Sequence, residues 1–234
     1  MDCKVCNTEM TLAKHKVYKC PNCRHIFINF TGDGIEYHKT LYRKGKNEGQ
    51  RGTNEVKDGV FTKEFHARRE PICNKRVKKL HEHAPDYISV LDIGAGGGTF
   101  VGKLKYRTAD ISVQEVSDLC VSNLKLQGYK NVYHGDFNEL KFPKQYDLVT
   151  CYHVLEHIED LQAYKSKLLE VAKKYVAIEV PVNRDLRNPD KNWDGHYHYF
   201  STDSMKKLFG DDFEFLYLGK GVQMPALLAI MKRK

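Results

Sequence analysis

Four cysteines near the N-terminus stand at the spacing of a metal site. Two C-x-x-C pairs, Cys3 with Cys6 and Cys20 with Cys23, are separated by thirteen residues. In such a pair the chain turns so that both sulfurs face one point, and four thiolates suit the tetrahedral coordination of Zn²⁺. A redox C-x-x-C normally opens a helix after a strand and occurs once. We therefore predict a zinc ribbon whose ligands are Cys3, Cys6, Cys20 and Cys23.

A glycine-rich turn follows an apolar stretch in the middle of the chain. The segment from residue 90 reads VLDIGAGGGTF, and glycines there let backbone amides approach a ligand closely. Thr99 stands where a dinucleotide fingerprint needs its third glycine. An acid before the first glycine would repel a pyrophosphate but suits a cation, such as the ammonium and sulfonium of S-adenosylmethionine. The residues predicted to hold this cofactor are Asp92, Gly94, Gly96 and Gly98.

Short apolar strands alternate with amphipathic helices after Pro85, which is typical of a doubly wound α/β sheet. A Gly-Lys-Gly turn at residues 219–221 joins the last two strands as a hairpin, so one strand is antiparallel. We predict a mostly parallel, seven-stranded, Rossmann-like sheet whose carboxyl edge gathers the site. The predicted strands are residues 87–93, 111–116, 131–134, 146–151, 175–180, 213–218 and 222–231.

These motifs together resemble the class I S-adenosylmethionine-dependent methyltransferases, in particular a small-molecule subgroup that includes zinc-ribbon-bearing sugar methyltransferases. The resemblance covers about residues 86–220, including HVLEH from residue 153 and HYHYFS from residue 196. It implies that the glycine-rich turn holds the methionine end of the cofactor. It also implies that Glu115 binds the ribose hydroxyls, that Asp136 binds the adenine, and that Phe137 borders the base.

Two histidines are the candidate general bases for methyl transfer. The sulfonium is a good leaving group, so the protein must align the acceptor and remove its proton. Imidazole titrates near neutral pH, and His153 and His196 follow strands four and five at the same edge of the sheet. His157 is predicted to orient a loop, and His198 to share a face with His196 if that segment is extended. The aromatic candidates for the acceptor pocket are Trp193, Tyr197 and Tyr199.

The chain divides into three predicted parts, a zinc ribbon (1–30), a glycine-rich, charged linker or lid (31–60) and a methyltransferase domain (61–234). Apolar residues at helical spacing predict a helix near residues 61–83, which Pro71 starts or interrupts. The longest mainly apolar run is too short to span a bilayer. The N-terminus lacks the basic and then apolar order of a secretory signal. A cytoplasmic protein without a membrane span is therefore predicted.

The charge distribution leaves the acceptor open. Residues 1–85 hold 18 Lys and Arg against 10 Asp and Glu, whereas the remainder holds 20 of each. This excess is either a solvated surface or a patch for phosphate-bearing partners. The first hypothesis is methyl transfer to a hydroxyl, or to a carbon beside a keto group, of a small sugar-like metabolite. The second is an RNA methyltransferase that binds nucleic acid through its ribbon, and the third is an interaction module that has lost activity.

Overall fold

The computed structural model describes residues 1–14, 16–29, 55–182, 195–223 and 225–234. Most of the predicted linker and the candidate Trp193 therefore lie outside the described residues. The strands are β1 (Thr11–Lys14), β2 (Val17–Lys19), β3 (Ile26–Ile28), β4 (Val56–Lys57), β5 (Val60–Phe61), β6 (Ser89–Ile93), β7 (Asp110–Glu115), β8 (Asn131–His134), β9 (Tyr146–Tyr152), β10 (Ala172–Pro181), β11 (His198–Tyr199), β12 (Phe213–Lys220) and β13 (Ala226–Arg233). The helices are α1 (Lys63–His83), α2 (Thr99–Gly102), α3 (Asp118–Leu126), α4 (Leu161–Val171) and α5 (Thr202–Phe209), with a 3₁₀ turn at Leu155–His157.

The main sheet has seven strands in the order β12-β13-β10-β9-β6-β7-β8. The five strands from β10 to β8 in this order run parallel, and β13 lies antiparallel between β10 and β12. The predicted fold class, including the terminal hairpin, is confirmed. Because the strand order reverses between β6 and β9, a crevice forms outside their carboxyl ends.

Helices cover both faces of this sheet. Side chains alternate along a strand, so Leu91 of β6 packs in one core with Leu168 of α4, whereas Val90 packs in the other with Leu124 of α3. All four side chains are fully buried. Within the described residues, no helix is long and apolar enough to cross a membrane.

The predicted helix before the main sheet is α1, and it runs through Pro71 without ending there. Thr62 caps its N-terminus by accepting a hydrogen bond from the N–H of Phe65 at 3.3 Å. Proline removes one helical hydrogen bond, but Phe65, Cys73 and Leu80 bury one face of α1 against the domain. This packing explains why the helix continues where the sequence predicted a start or an interruption.

The N-terminal ribbon shares a sheet with the domain that follows it. Strands β1, β2 and β3 pair in antiparallel order, and β11 adds the fourth strand beside β3. In this pairing His198 lies opposite Phe27 and Tyr199 lies opposite Ile26. Phe27 also belongs to the same buried core as α4 and α5. The ribbon therefore packs directly on the second half of the main domain.

Candidate functional site

The glycine-rich turn lies between β6 and α2, at the carboxyl edge of the main sheet. Gly94 has a φ of +67°, and a Cβ at this position would lie 2.3 Å from Cγ2 of Val154. Both the positive φ and the close approach require glycine. Val154 belongs to the HVLEH segment that follows β9. The predicted cofactor turn and the predicted catalytic segment are therefore in direct contact across the crevice.

Glu115 lies at the end of β7, as the sequence predicted, and it fixes the glycine-rich turn. Its Oε2 accepts a hydrogen bond from the N–H of Gly96 at 2.7 Å. Its Oε1 accepts from the N–H groups of Val116 and Ser117 at 2.7 and 3.0 Å. The side chain is only 7% exposed. Three backbone N–H groups therefore hold the carboxyl group of Glu115 in place beside the turn.

Gln114 is a second brace, and no motif had indicated it. Its Oε1 accepts from the N–H of Gly94 at 3.1 Å, and its Nε2 donates to the carbonyl of Gly135 at 2.6 Å. The amide thereby connects the turn after β6 to the turn after β8. In the sequence, only the position of Gln114 could indicate this role, since it is a polar residue next to Glu115 near the end of an apolar strand.

Asp92 lies beneath the turn and is 3% exposed. The hydroxyl of Thr150 donates to its Oδ1 at 2.6 Å. Burial raises the pKa of Asp92 to about 7, although the Thr150 hydrogen bond and the charge of Arg76 oppose this rise. A cation bound at the turn would favour the ionised form of Asp92. The arrangement thus suits the charge of a sulfonium better than that of a phosphate.

The two predicted adenine-site residues after β8 have different surroundings. Asp136 is exposed, and its Oδ1 accepts from the N–H of Asn138 at 2.9 Å. Phe137 is 3% exposed, and its ring centroid lies 5.6 Å from that of Phe142 and 5.0 Å from that of Tyr164. Asp136 is therefore accessible to a ligand, whereas the ring of Phe137 packs in the core.

Helix α1 lies along one side of the crevice and lines an open cavity of about 150 Å³. Its Phe65 packs against Gly97, where a Cβ would lie 2.5 Å from the ring. Arg69 and Arg76 line the cavity together with Gly96. Guanidinium groups suit a carboxylate such as that of a methionine moiety. No motif near these two arginines indicates a role in ligand binding, because they lie on a separate helix well before the glycine-rich turn in sequence.

His153 lies between two buried carboxylates. Its Nδ1 is 3.3 Å from Oε1 of Glu156, and its Nε2 is 3.2 Å from Oε1 of Glu179. Burial disfavours the imidazolium, but the two carboxylates outweigh this effect and raise the pKa of His153 to about 9. At neutral pH His153 is therefore a cation whose two ring nitrogens both face carboxylates. This geometry does not suit a residue that must accept a proton.

Arg76 extends this network to α1. Its Nε and Nη2 donate to Oε1 of Glu179 at 3.2 and 2.5 Å, and the N–H of Val222 donates to Oε2 at 2.6 Å. Burial would raise the pKa of Glu179, but His153 and Arg76 lower it to about 2. The result is an alternating chain of buried charges from α1 to the segment after β9.

Glu156 joins His153 to two further histidines. The Nε2 of His196 is 4.0 Å from Oε1 of Glu156, and the rings of His157 and His196 meet edge to face at 4.6 Å. The Nδ1 of His157 donates to the carbonyl of Gly195 at 2.8 Å, which gives it the loop-orienting contact that was expected. Donor atoms of Glu156, His157 and His196 lie within 4.8 Å of one another. Imidazole nitrogens and carboxylate oxygens of this kind suit a divalent cation.

The two predicted base candidates, His153 and His196, thus meet at Glu156, whereas His198 points elsewhere. His198 was expected to share a face with His196 if that segment is extended, but the strand β11 begins only at His198. His198 is fully buried, and its Nδ1 is 2.9 Å from Nε2 of His25 in the ribbon. The pairing of β11 with β3 turns His198 towards the ribbon.

The four N-terminal cysteines meet at one point. Their sulfurs are 3.6 Å apart for Cys3 and Cys23 and 3.5 Å apart for Cys6 and Cys20, and all four thiols are free. A tetrahedral zinc ion with bonds of about 2.3 Å would separate its sulfurs by about 3.8 Å. The cluster therefore fits such an ion closely.

Comparison with known proteins identifies the family to which the chain belongs. The family described as "Methyltransferase domain" matches residues 65–215. A ubiquinone biosynthesis O-methyltransferase of Rickettsia bellii is 32% identical over 137 residues, which are 55% of this chain and 56% of that protein. Its mitochondrial counterpart in Schizosaccharomyces pombe is 29% identical over 92 residues, 36% of this chain and 34% of that one. The chain therefore spans about half or less of the length of these curated relatives.

A solved structure shares the fold. Magnesium protoporphyrin IX methyltransferase of Synechocystis PCC 6803, with bound S-adenosylhomocysteine, has a TM-score of 0.62, with 85% of this chain and 99% of that chain covered, at 16% identity. The expected sugar-type subgroup finds no support in these relatives, whose names refer to ubiquinone biosynthesis and a porphyrin. The family match covers more than half of the chain. The chain therefore belongs to the methyltransferase-domain family and contains an S-adenosylmethionine-dependent methyltransferase domain.

Proposed function

We propose that this protein transfers the methyl group of S-adenosylmethionine to a hydroxyl of a small polar molecule. The observation that carries the proposal is the contact between Gly94 and Val154 across the crevice. Through it, the cofactor turn lies next to the segment that holds His153 and Glu156. The O-methyltransferase names of the curated relatives support a hydroxyl over a carbon acceptor.

On the cofactor side, the turn at residues 94–98 receives the methionine end, and Glu115 binds the ribose hydroxyls. Arg69, which lines the adjoining cavity, is the proposed partner of the methionine carboxylate. Asp92 supplies negative charge beneath the turn, and the exposed Asp136 is the proposed partner of the adenine. Phe137 is left out of this set because its ring packs in the core.

On the acceptor side, His196 is the proposed general base. The bound cofactor supplies an electrophilic methyl carbon on a sulfonium leaving group. His196 takes the proton of the acceptor hydroxyl as its oxygen attacks that carbon, and Glu156 stabilises the imidazolium that forms. Burial would raise the pKa of Glu156, but His153 and the neighbouring histidines lower it. His153 therefore keeps Glu156 ionised and in place.

The proposed acceptor class follows from the limited strength of a single imidazole as a general base. A phenolic hydroxyl has a pKa near 10, as in tyrosine, and needs less help from a base than a sugar hydroxyl does. The aromatic hydroxyl is therefore our first acceptor class, and the sugar-like acceptor is the second.

The four-cysteine cluster is the proposed site of Zn²⁺. Four thiolates on the two turns of the ribbon would bind the ion and join the two short hairpins, which have little apolar surface of their own. The ion would supply structural energy and no chemistry in methyl transfer.

The test is a transfer assay with methyl-labelled S-adenosylmethionine and four acceptors, an aromatic diol, a nucleotide sugar, a keto sugar and a short RNA. We expect label on oxygen of a small molecule, with the aromatic diol the best of the four. Label on RNA, together with affinity that falls steeply with salt, would favour the RNA-methyltransferase hypothesis. Label on carbon of the keto sugar would contradict O-methylation.

A further inference from the structure

The ribbon meets the histidine cluster, which comprises His153, Glu156, His157 and His196, in one short segment, residues 195–201. Within it, the N–H of Tyr197 donates to the carbonyl of Glu156 at 2.9 Å, and its carbonyl accepts from the N–H of Ile28 at 2.9 Å. Ile28 belongs to β3 of the ribbon. One residue is thus bonded to the cluster through its N–H and to the ribbon through its carbonyl. His196, the proposed base, is the preceding residue.

A buried pair of histidines forms a second contact between the ribbon and this segment. Nε2 of His25 and Nδ1 of His198 are 2.9 Å apart, and both side chains are fully buried. The ring of Phe27 lies 5.3 Å from that of His198. Polar groups in such surroundings are costly unless they remain hydrogen-bonded. The pair therefore favours one register of β11 against β3.

A third contact ties the cysteine cluster itself to the far end of the segment. The hydroxyl of Ser201 donates to the carbonyl of Cys23 at 2.8 Å. The same hydroxyl caps α5 by accepting from the N–H of Ser204 at 3.0 Å. The backbone of a predicted metal ligand is thus bonded to the residue at which α5 begins.

We infer that the ribbon is a positioning element of the active site. By holding residues 197–201, it places His196 against Glu156, and His25 and His198 are positioning residues. The inference rests on the proposed function, in which His196 is the base. Damage to the ribbon should therefore lower turnover. It should leave cofactor affinity unchanged, because the cofactor turn is braced by Gln114 and Glu115.

The first test uses three variants of the full, zinc-loaded chain. His198→Leu removes the hydrogen bond to His25 but keeps an apolar side chain in the buried space, whereas His198→Asn keeps a polar atom near the position of Nδ1. Val5→Ala is the control, because Val5 is a buried ribbon residue that takes no part in the three contacts above. We expect kcat to fall by about 10- to 100-fold in His198→Leu. We expect His198→Asn to recover most of it and Val5→Ala to stay within about twofold of the wild type.

Two further measurements separate positioning from general destabilisation. Calorimetry should give an S-adenosylhomocysteine affinity for His198→Leu within about twofold of the wild type. Hydrogen exchange should be faster in a peptide covering residues 195–201 and unchanged in one covering the cofactor turn. A lower kcat with unchanged exchange, or faster exchange with unchanged kcat, would overturn the inference.

Removal of zinc by a chelator, followed by its restoration, is the second perturbation and does not depend on the folding of His198→Leu. Zinc content, exchange at residues 195–201, cofactor affinity and turnover are measured on the same samples. Faster exchange with retained affinity supports the inference, whereas joint loss of affinity and turnover overturns it. His196→Gln separates the two proposals. If that variant is active while His198→Leu is impaired with faster exchange, the assignment of the base is wrong but the ribbon still positions the segment.

Discussion

The cofactor turn and the histidine cluster face each other across the crevice, but they are built differently. The turn is braced from the next strand, because Gln114 and Glu115 lie 20 and 19 residues after the glycines they bond. The cluster joins residues much farther apart in sequence, since Arg76 and Glu179 are separated by 103 residues. The contact that holds the neighbouring segment on the ribbon, between His25 and His198, spans 173 residues. The first region is set by neighbouring strands, and the second depends on tertiary packing of distant segments.

The two regions also differ in charge. Beneath the turn, Asp92 has a pKa raised by burial to about 7, close to neutral pH. In the cluster, Arg76, Glu179, His153 and Glu156 alternate in sign and hold one another ionised. A change at the turn should therefore act locally on cofactor binding. A change in the cluster should act through several partners at once.

The largest expected effect comes from removing the proposed base. His196→Gln should lower kcat by about 10²- to 10⁴-fold, the usual contribution of general base catalysis. S-adenosylhomocysteine affinity should stay within about twofold, because the cofactor turn is untouched. Steady-state kinetics and calorimetry measure both, with His83→Gln, at the end of α1, as the control. An unchanged kcat would remove His196 from the mechanism.

The matching change on the cofactor side is Glu115→Gln. It replaces a carboxylate that accepts backbone N–H groups and is proposed to bind the ribose, and hydrogen bonds to charged groups contribute about 1.5–3 kcal/mol each. S-adenosylhomocysteine affinity should fall by about 10- to 100-fold, whereas kcat at saturating cofactor should change much less. Asp118→Asn, at the exposed start of α3, is the control. Equal affinity of Glu115→Gln and the wild type would contradict the pocket assignment.

A third change acts on the contact between the two regions. Gly94 and Gly128 both have a positive φ, but only Gly94 has a side chain, that of Val154, within 4 Å of an added Cβ. Gly128→Ala should therefore cost only backbone strain, about 1–2 kcal/mol of unfolding free energy. Gly94→Ala should cost more and lower both cofactor affinity and kcat, since it displaces Val154. Urea denaturation measures the unfolding free energy, calorimetry measures the cofactor affinity, and steady-state kinetics measures kcat. A loss confined to one function would show that the regions are not coupled through this contact.

The last prediction is a pH dependence of stability. The pKa of His153 is about 9 in the folded chain against an ordinary 6.5, so its protonated form stabilises the fold. That stabilisation is complete below pH 6.5 and is lost as the pH rises to 9, by at most about 1.4 kcal/mol per pH unit. The gap in unfolding free energy between the wild type and His153→Gln should therefore shrink over this window. A gap of constant size would show that His153 is not held as a cation.

The same contrast explains what could be predicted from the sequence. The glycine-rich turn and Glu115 were located correctly because strand, turn and next strand follow one another in the chain. The four cysteines were found because their spacing alone brings them to one point. Most of the seven strands begin and end within a few residues of their predicted bounds, since apolar runs mark them directly.

The rest depends on tertiary contacts that leave no local pattern. Nothing near Arg76 indicates that it bonds Glu179, and nothing in HYHYFS indicates that His198 faces His25 rather than the cluster. His153 matched a motif for a base, but Glu156 in the same motif and the distant Glu179 face its two ring nitrogens and make it a cation. Pro71 was expected to start or interrupt a helix whose packing carries it through.

The central claim is that the crevice binds S-adenosylmethionine with its methyl group directed at the histidine cluster. The most direct measurement is an NMR titration of the full chain with S-adenosylmethionine carrying a ¹³C-labelled methyl group. We predict one bound molecule per chain and nuclear Overhauser effects from that methyl to the ring protons of His196. A folded chain that takes up none of the compound, or a bound methyl group with no effect at His196, would contradict the account.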